Sequence, residues 1–128
     1  MKMLMRVAYV SGPYRDTRGE WYVTQNIRES EEVALGLWRI GYAAISPHKN
    51  TALFGGAVSG GDDVWLWGDL AILAKCDLIV MTERWQESSG AQSEHEFAMA
   101  MGVPIYYWPE DVHRLLTEAL AAQDEQGG

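Results

Sequence analysis

Three observations predict an α/β fold for this chain. Short strand-like runs alternate with helix-like segments, glycine stands at their junctions, and 48% of the 128 residues are apolar. That size and apolar content fit one domain, spanning residues 1–128, around a single core. Alternating strands and helices need crossover connections, which set consecutive strands parallel and put helices on the sheet's faces. The expected architecture is a three-layer sandwich with a four- or five-stranded, mainly parallel sheet, of the flavodoxin-like or Rossmann-like kind.

The first strand is Arg6-Val7-Ala8-Tyr9-Val10, stopped at a turn by Gly12-Pro13. A helix from about Thr24 to Ile40 follows. Ile27, Ala34, Leu37 and Trp38 suit its buried face, Arg28, Glu29, Glu31 and Glu32 a solvated one, and Gly41 closes it. Tyr42-Ala43-Ala44-Ile45 makes a short second strand, and a long loop then runs from Pro47 through Gly55, Gly56, Gly60 and Gly61. A loop of this length is expected to move, as a lid, a binding loop or a slack connector. Asp62 or Asp63 caps the next helix, which carries Trp65, Leu66, Leu70 and Leu73 and ends near Lys75. Cys76-Asp77-Leu78-Ile79-Val80-Met81 reads as a buried third strand, and Gly90 to Met101 as a helix closed by Gly102. Val103-Pro104-Ile105-Tyr106-Tyr107 gives a fourth strand, Asp111 to Ala122 a last helix, and Gln123 to Gly128 a frayed tail.

The net charge of −8 argues against a dedicated binder of polymeric nucleic acid, whose phosphates need a basic footprint. A small anion is still compatible with it, because one helix N-terminus suffices to hold it. Met3 to Val10 is too short for the full pattern of a signal peptide, and no apolar run approaches a membrane span. Cys76 is the only cysteine, which leaves no internal disulfide and no thiolate metal site, and a small buried thiol is its expected role. These features suit a cytoplasmic protein without a membrane partner. His48, His95 and His113 lack ligand spacing, so neither a metal nor another cofactor is expected. No G-x-G-x-x-G follows the first strand and no P-loop is present, which weakens dinucleotide dehydrogenase and nucleoside-triphosphatase readings.

The stretch Trp85-Gln86-Glu87-Ser88-Ser89-Gly90-Ala91-Gln92-Ser93-Glu94 joins the third strand to the helix after it. In an open parallel sheet such a turn lies in the crevice where ligands bind. Unpaired N–H groups and the helix dipole favour an anion there, so Ser88, Ser89 and Gly90 are candidates to hold a phosphate or hydroxyl. Glu94 shares a helical stripe with Phe97, Ala98 and Met101, at i, i+3, i+4 and i+7, and so continues a core-facing row with a carboxylate. Glu96 faces away from that row. Complementing the helix dipole is the alternative role for Glu94, as helix capping is for Ser88.

With Tyr9-Val10-Ser11-Gly12 after the first strand, Asp69 eight residues before Asp77, and Ser88-x-Gly90-x-x-x-Glu94, the chain resembles the nucleoside 2-deoxyribosyltransferase-like superfamily. The resemblance spans most of the chain and is closest to a small, poorly characterised branch. It implies an enzyme acting on a nucleotide or nucleoside. Glu94 would attack the anomeric carbon to form a covalent glycosyl intermediate, which water or a second base resolves with retention. Asp69 would assist the departing base or orient the sugar. Tyr9, Ser11 and Gly12 would line the sugar and base pocket. Ser88 stands where the transferases have an acidic residue and the 5′-monophosphate hydrolases a serine, which points to a phosphorylated substrate because a carboxylate would repel phosphate.

The leading expectation is thus an N-glycosidase of a (deoxy)nucleoside 5′-monophosphate. The alternatives are a nucleoside 2-deoxyribosyltransferase, an NAD glycohydrolase, and a non-catalytic nucleotide-binding module. The hydrolases take a further phosphate-binding serine from a neighbouring subunit after the last strand, whereas Trp108-Pro109-Glu110-Asp111-Val112-His113 contains none. Arg15 and Arg18 are set to meet a phosphate or to solubilise a loop. His48 and Asn50 point towards the crevice as readers of a base edge, and Trp85 is the stacking candidate beside the motif, ahead of Trp65 and Trp67. Six tryptophans and six tyrosines, with the resemblance, predict a homodimer or larger homo-oligomer in which some of Trp38, Trp65, Trp67 and Trp108 are buried between subunits.

Overall fold

A computed structural model describes residues 5–48 and 57–127. Among the described residues four strands form the sheet: β1 (Val7–Ser11), β2 (Ala43–Ile45), β3 (Leu78–Met81) and β4 (Ile105–Tyr107), in the order β2-β1-β3-β4 with every pair parallel. Helices α1 (Glu20–Ile40), α2 (Gly61–Leu73), α3 (Ser89–Met101) and α4 (Val112–Gly127) connect and flank them, and a single 3-10 turn (Trp85–Glu87) lies between β3 and α3.

Pleating sends alternate strand residues to opposite faces, and both faces of this sheet are covered. Ala8, Val10, Leu78, Val80 and Tyr106 pack on one side against Val33 and Leu37 of α1 and Leu115 and Ala119 of α4. Tyr9, Ile79 and Met81 pack on the other against Leu73 of α2 and Ala91 and Ala98 of α3. The result is the three-layer α/β sandwich that the sequence predicts, with four strands. No helix among the described residues is long and apolar enough to cross a membrane.

The same pleat decides where the site lies. Tyr9 and Ser11 are two residues apart on β1, so both side chains point to the face that α3 covers. The neighbours β1 and β3 are followed by helices on opposite faces of the sheet, which opens a crevice at their carboxyl ends.

Several boundaries differ from the sequence expectation. Helix α1 begins at Glu20 rather than near Thr24. A turn in which the Asp16 carboxylate accepts the Arg18 backbone N–H, with the Arg18 guanidinium 3.8 Å above the Tyr22 ring, steadies an extra turn of helix. Its buried residues are Asn26, Ser30, Val33 and Leu37, while Trp38, one step further round, is 51% exposed. Neither Asp62 nor Asp63 is the N-cap of α2; Gly60 is, in the left-handed region at φ 111°, and the helix ends at Leu73. Helix α4 runs on to Gly127 through the tail expected to fray. The row on α3 is Ala91, Glu94 and Ala98, with Phe97 half-buried, whereas Met101 is exposed at the helix end. Cys76 is half-buried, its thiol donating to the Ile72 carbonyl at 3.3 Å.

Candidate active site

Ser88 caps α3: its Oγ accepts the N–H of Ala91 at 3.1 Å, an interaction worth about 1 kcal/mol. Capping therefore is one of its roles, and the hydroxyl proton is not used by that bond. Helix α3 then places Glu94 in the lining of a cavity of about 410 Å³, within the ~300–1,000 Å³ typical of small-molecule sites. The walls come from the β1–α1 loop (Gly12, Tyr14, Arg15), from α2 (Asp63, Trp65, Leu66, Asp69) and from the turn into α3 (Glu87, Ser88, Ser89, Gly90).

Glu94 is only 4% exposed, and both its oxygens are held from below by β1. Ser11 Oγ donates to Oε1 at 2.6 Å, and the Tyr9 hydroxyl donates to Oε2. Burial pushes the Glu94 carboxyl up to about 7 from its ordinary 4.5; the bonds from Ser11 and Tyr9 oppose that rise and the charge of Asp69 adds to it. Burial, then the charge of Glu94, holds the Tyr9 hydroxyl far above the usual phenol range, so it stays a donor. Asp69, half-buried on the α2 wall, is pushed up to about 6 by burial. Two carboxyl groups thus share one cavity, each able to exchange a proton near neutrality.

Gly12 and His48 shape the same floor. A Cβ at Gly12 would lie 2.2 Å from Thr82 Oγ1, so only glycine lets the loop settle on the end of β3. The Gly12 carbonyl is 2.8 Å from His48 Nε2, and because a carbonyl only accepts, Nε2 carries the proton. Burial also lowers the His48 pKa, keeping the ring neutral. The imidazole stacks on Tyr14 at 4.7 Å, so His48 both lines the cavity and braces the loop.

Most residues singled out from the sequence come together here. Glu94, Asp69, Gly12, His48, Ser88, Ser89 and Gly90 line the cavity, whereas Tyr9 and Ser11, expected to line it too, are fully buried behind it and hold its carboxylate instead. Trp85 does not line it: its indole stacks on His95 at 4.3 Å, and His95 Nε2 lies 2.8 Å from the Tyr107 hydroxyl. The 3-10 turn folds Trp85 back onto the protein, and Trp65 is the tryptophan in the wall. Arg15 lines the cavity, while Arg18 is engaged with Asp16 at 2.7 Å. Asn50 lies outside the described residues. Sequence reasoning missed Tyr14, Asp63 and Glu87 as wall residues. The three-residue spacing of Asp63, Leu66 and Asp69 on a helix was the signal available for the first wall.

This chain belongs to the family described as a domain of unknown function, DUF4406, whose profile matches residues 6–107 and so includes the whole sheet and every cavity residue named above. No curated protein matches it.

Proposed function

We propose that this protein is a retaining N-glycosidase that cleaves the base–sugar bond of a nucleoside 5′-monophosphate. The observation that carries the reading is the buried Glu94 carboxylate, fixed by two hydroxyl donors, facing a cavity that also contains Asp69. Each Glu94 oxygen accepts one of those bonds and retains a further lone pair. One oxygen attacks the anomeric carbon, the carbon–nitrogen bond breaks, and its electron pair leaves with the base, which takes the proton of Asp69. Water then attacks the same carbon, gives its proton to Asp69, and releases the Glu94 carboxylate, so configuration is retained. Resolution by a second base instead of water would make the same site a deoxyribosyltransferase.

The phosphate is assigned to the start of α3. Ser89 and Gly90 are the first two residues of that helix, whose N–H groups have no acceptor within it, and both line the cavity together with Arg15. Incubation with a panel of 5′-monophosphates, nucleosides and NAD, monitored for free base, tests the reading. Release from 5′-monophosphates is expected, whereas release from none of the panel rejects the glycosidase.

Ser88→Asp tests the phosphate assignment, since aspartate caps helices as well as serine does and adds only charge. It should weaken 5′-monophosphate binding at least about tenfold more than nucleoside binding, a difference of about 1.4 kcal/mol. Equal effects on both, measured by titration calorimetry, would remove the phosphate from this position.

The proposal includes a homodimer. Trp108 is half-buried and packs within its own subunit over Gly36, where a Cβ would meet its ring at 2.7 Å. Trp65 faces the cavity, but Trp67 and Trp38 are 65% and 51% exposed and suit a partner surface. Light scattering at micromolar concentration should give twice the 14.3 kDa chain mass or more, and a fully active monomer would reject the assembly.

A further inference from the structure

Arg84 lies outside the cavity, yet its guanidinium joins the segments that bound it. Nη2 donates to Asn26 Oδ1 at 2.6 Å and to Glu29 Oε2 at 2.7 Å, and Nε donates to the same Glu29 oxygen at 3.0 Å. On its other side Nη1 donates to Glu87 Oε1 at 3.3 Å. Asn26, 3% exposed, uses its amide N–H on the Tyr14 carbonyl at 3.0 Å. Tyr14 in turn stacks on His48. Tyr14, His48 and Glu87 are cavity walls, whereas Arg84 and Asn26 are not.

We propose that Arg84 and Asn26 are positioning residues that clamp the β1–α1 loop to the β3–α3 turn and hold the substrate-binding walls at a fixed separation. The planar fork of arginine reaches acceptors on α1 and on the 3-10 turn at once, and a lysine ammonium cannot reproduce that geometry. Asn26 is needed in both its roles: the oxygen receives Arg84 while the nitrogen holds Tyr14, so removing it uncouples the two segments. None of the bonds in this network reaches Glu94 or Asp69. The clamp therefore acts on binding and leaves the ionisation of the reacting carboxyl groups alone, which rests on the glycosidase reading above.

Hydrogen–deuterium exchange on the full chain tests the clamp independently of catalysis. Arg84→Met and Asn26→Ala should each speed exchange about fivefold or more in both residues 12–18 and residues 85–90, with β3 unchanged, and Arg84→Lys should fall between them and wild type. In turnover, each variant should raise KM about tenfold with kcat within about threefold and the acid limb of the pH profile unmoved, and the double variant should be no worse than the singles. Faster exchange in one segment only, or in neither, overturns the clamp, as does a loss confined to kcat. If wild type releases no base from any substrate, the glycosidase reading is what fails, and the exchange result alone decides the clamp.

Discussion

Glu94→Gln will lower kcat for base release at least about a thousandfold, roughly 4 kcal/mol of transition-state stabilisation, because a neutral amide cannot capture the anomeric carbon. Glutamine matches the shape of the carboxylate and can still bond Ser11 and Tyr9, so the fold should survive. Glu96, exposed on the opposite side of α3, is the control, and Glu96→Gln should leave turnover within about twofold. Equal losses from the two substitutions, or full activity in the Glu94 variant, would end the nucleophile assignment.

The same substitution should stabilise the protein at alkaline pH. Burial pushes the Glu94 carboxyl from 4.5 to about 7, so across that window the folded protein keeps a proton that the unfolded chain has released. Stability therefore falls as pH rises through the window: the contribution is complete below the unfolded pKa and lost above the folded one. A shift of this size corresponds to about 3 kcal/mol. Glutamine has no charge to bury, so Tm of Glu94→Gln should exceed that of wild type at pH 8, and the gap should close towards pH 5. An identical gap at both pH values would show that the buried charge is not its source.

The second large effect belongs to Asp69. If it supplies the proton to the departing base, Asp69→Asn should cost about a hundredfold or more in kcat. Wild-type turnover should then follow a bell with its maximum between about 6 and about 7, since Glu94 must be ionised and Asp69 protonated. The two limbs belong to the pair, because each carboxylate feels the other. Asp69→Asn should abolish the alkaline limb and leave a single acid limb at the pKa of Glu94 itself, which lies below about 7 because the like charge that raises it is gone. Survival of the alkaline limb would leave Asp69 only the task of orienting the sugar.

The sheet and the motif turn were legible because each is a local signal: a short apolar run, a glycine stop, a capping serine before a helix. Glu94 was legible too, as a carboxylate in line with Phe97 and Ala98, although Met101 misplaced the far end of that row. The role of its donors was not: the resemblance put Tyr9 and Ser11 in the pocket lining, whereas both are buried behind it and bond Glu94. Tyr9 and Ser11 lie 85 and 83 residues away in the chain, and nothing in the spacing of either segment states that they meet. Trp85 was misjudged because nearness to the motif in sequence is not nearness to the cavity: its indole stacks on His95 instead. The start of α1 was hidden because its first turn owes its order to the contacts of Arg18 with Asp16 and Tyr22 rather than to a periodic apolar face.

The anchoring of Glu94 from the sheet separates two kinds of change that this protein can undergo. Its donors stand on a buried strand, with Tyr9 and Ser11 both inaccessible, whereas much of the cavity wall comes from loops and from one helix at the periphery. Exchanging Asp63, Trp65 or Glu87 remodels what the cavity admits without touching a bond to Glu94. Exchanging Ser11 alters the acidity of the Glu94 carboxyl without changing the shape of the opening. Changes in what the cavity accepts and changes in the acidity of its buried carboxyl therefore fall on different residues, and a scaffold divided in this way can vary the one while keeping the other.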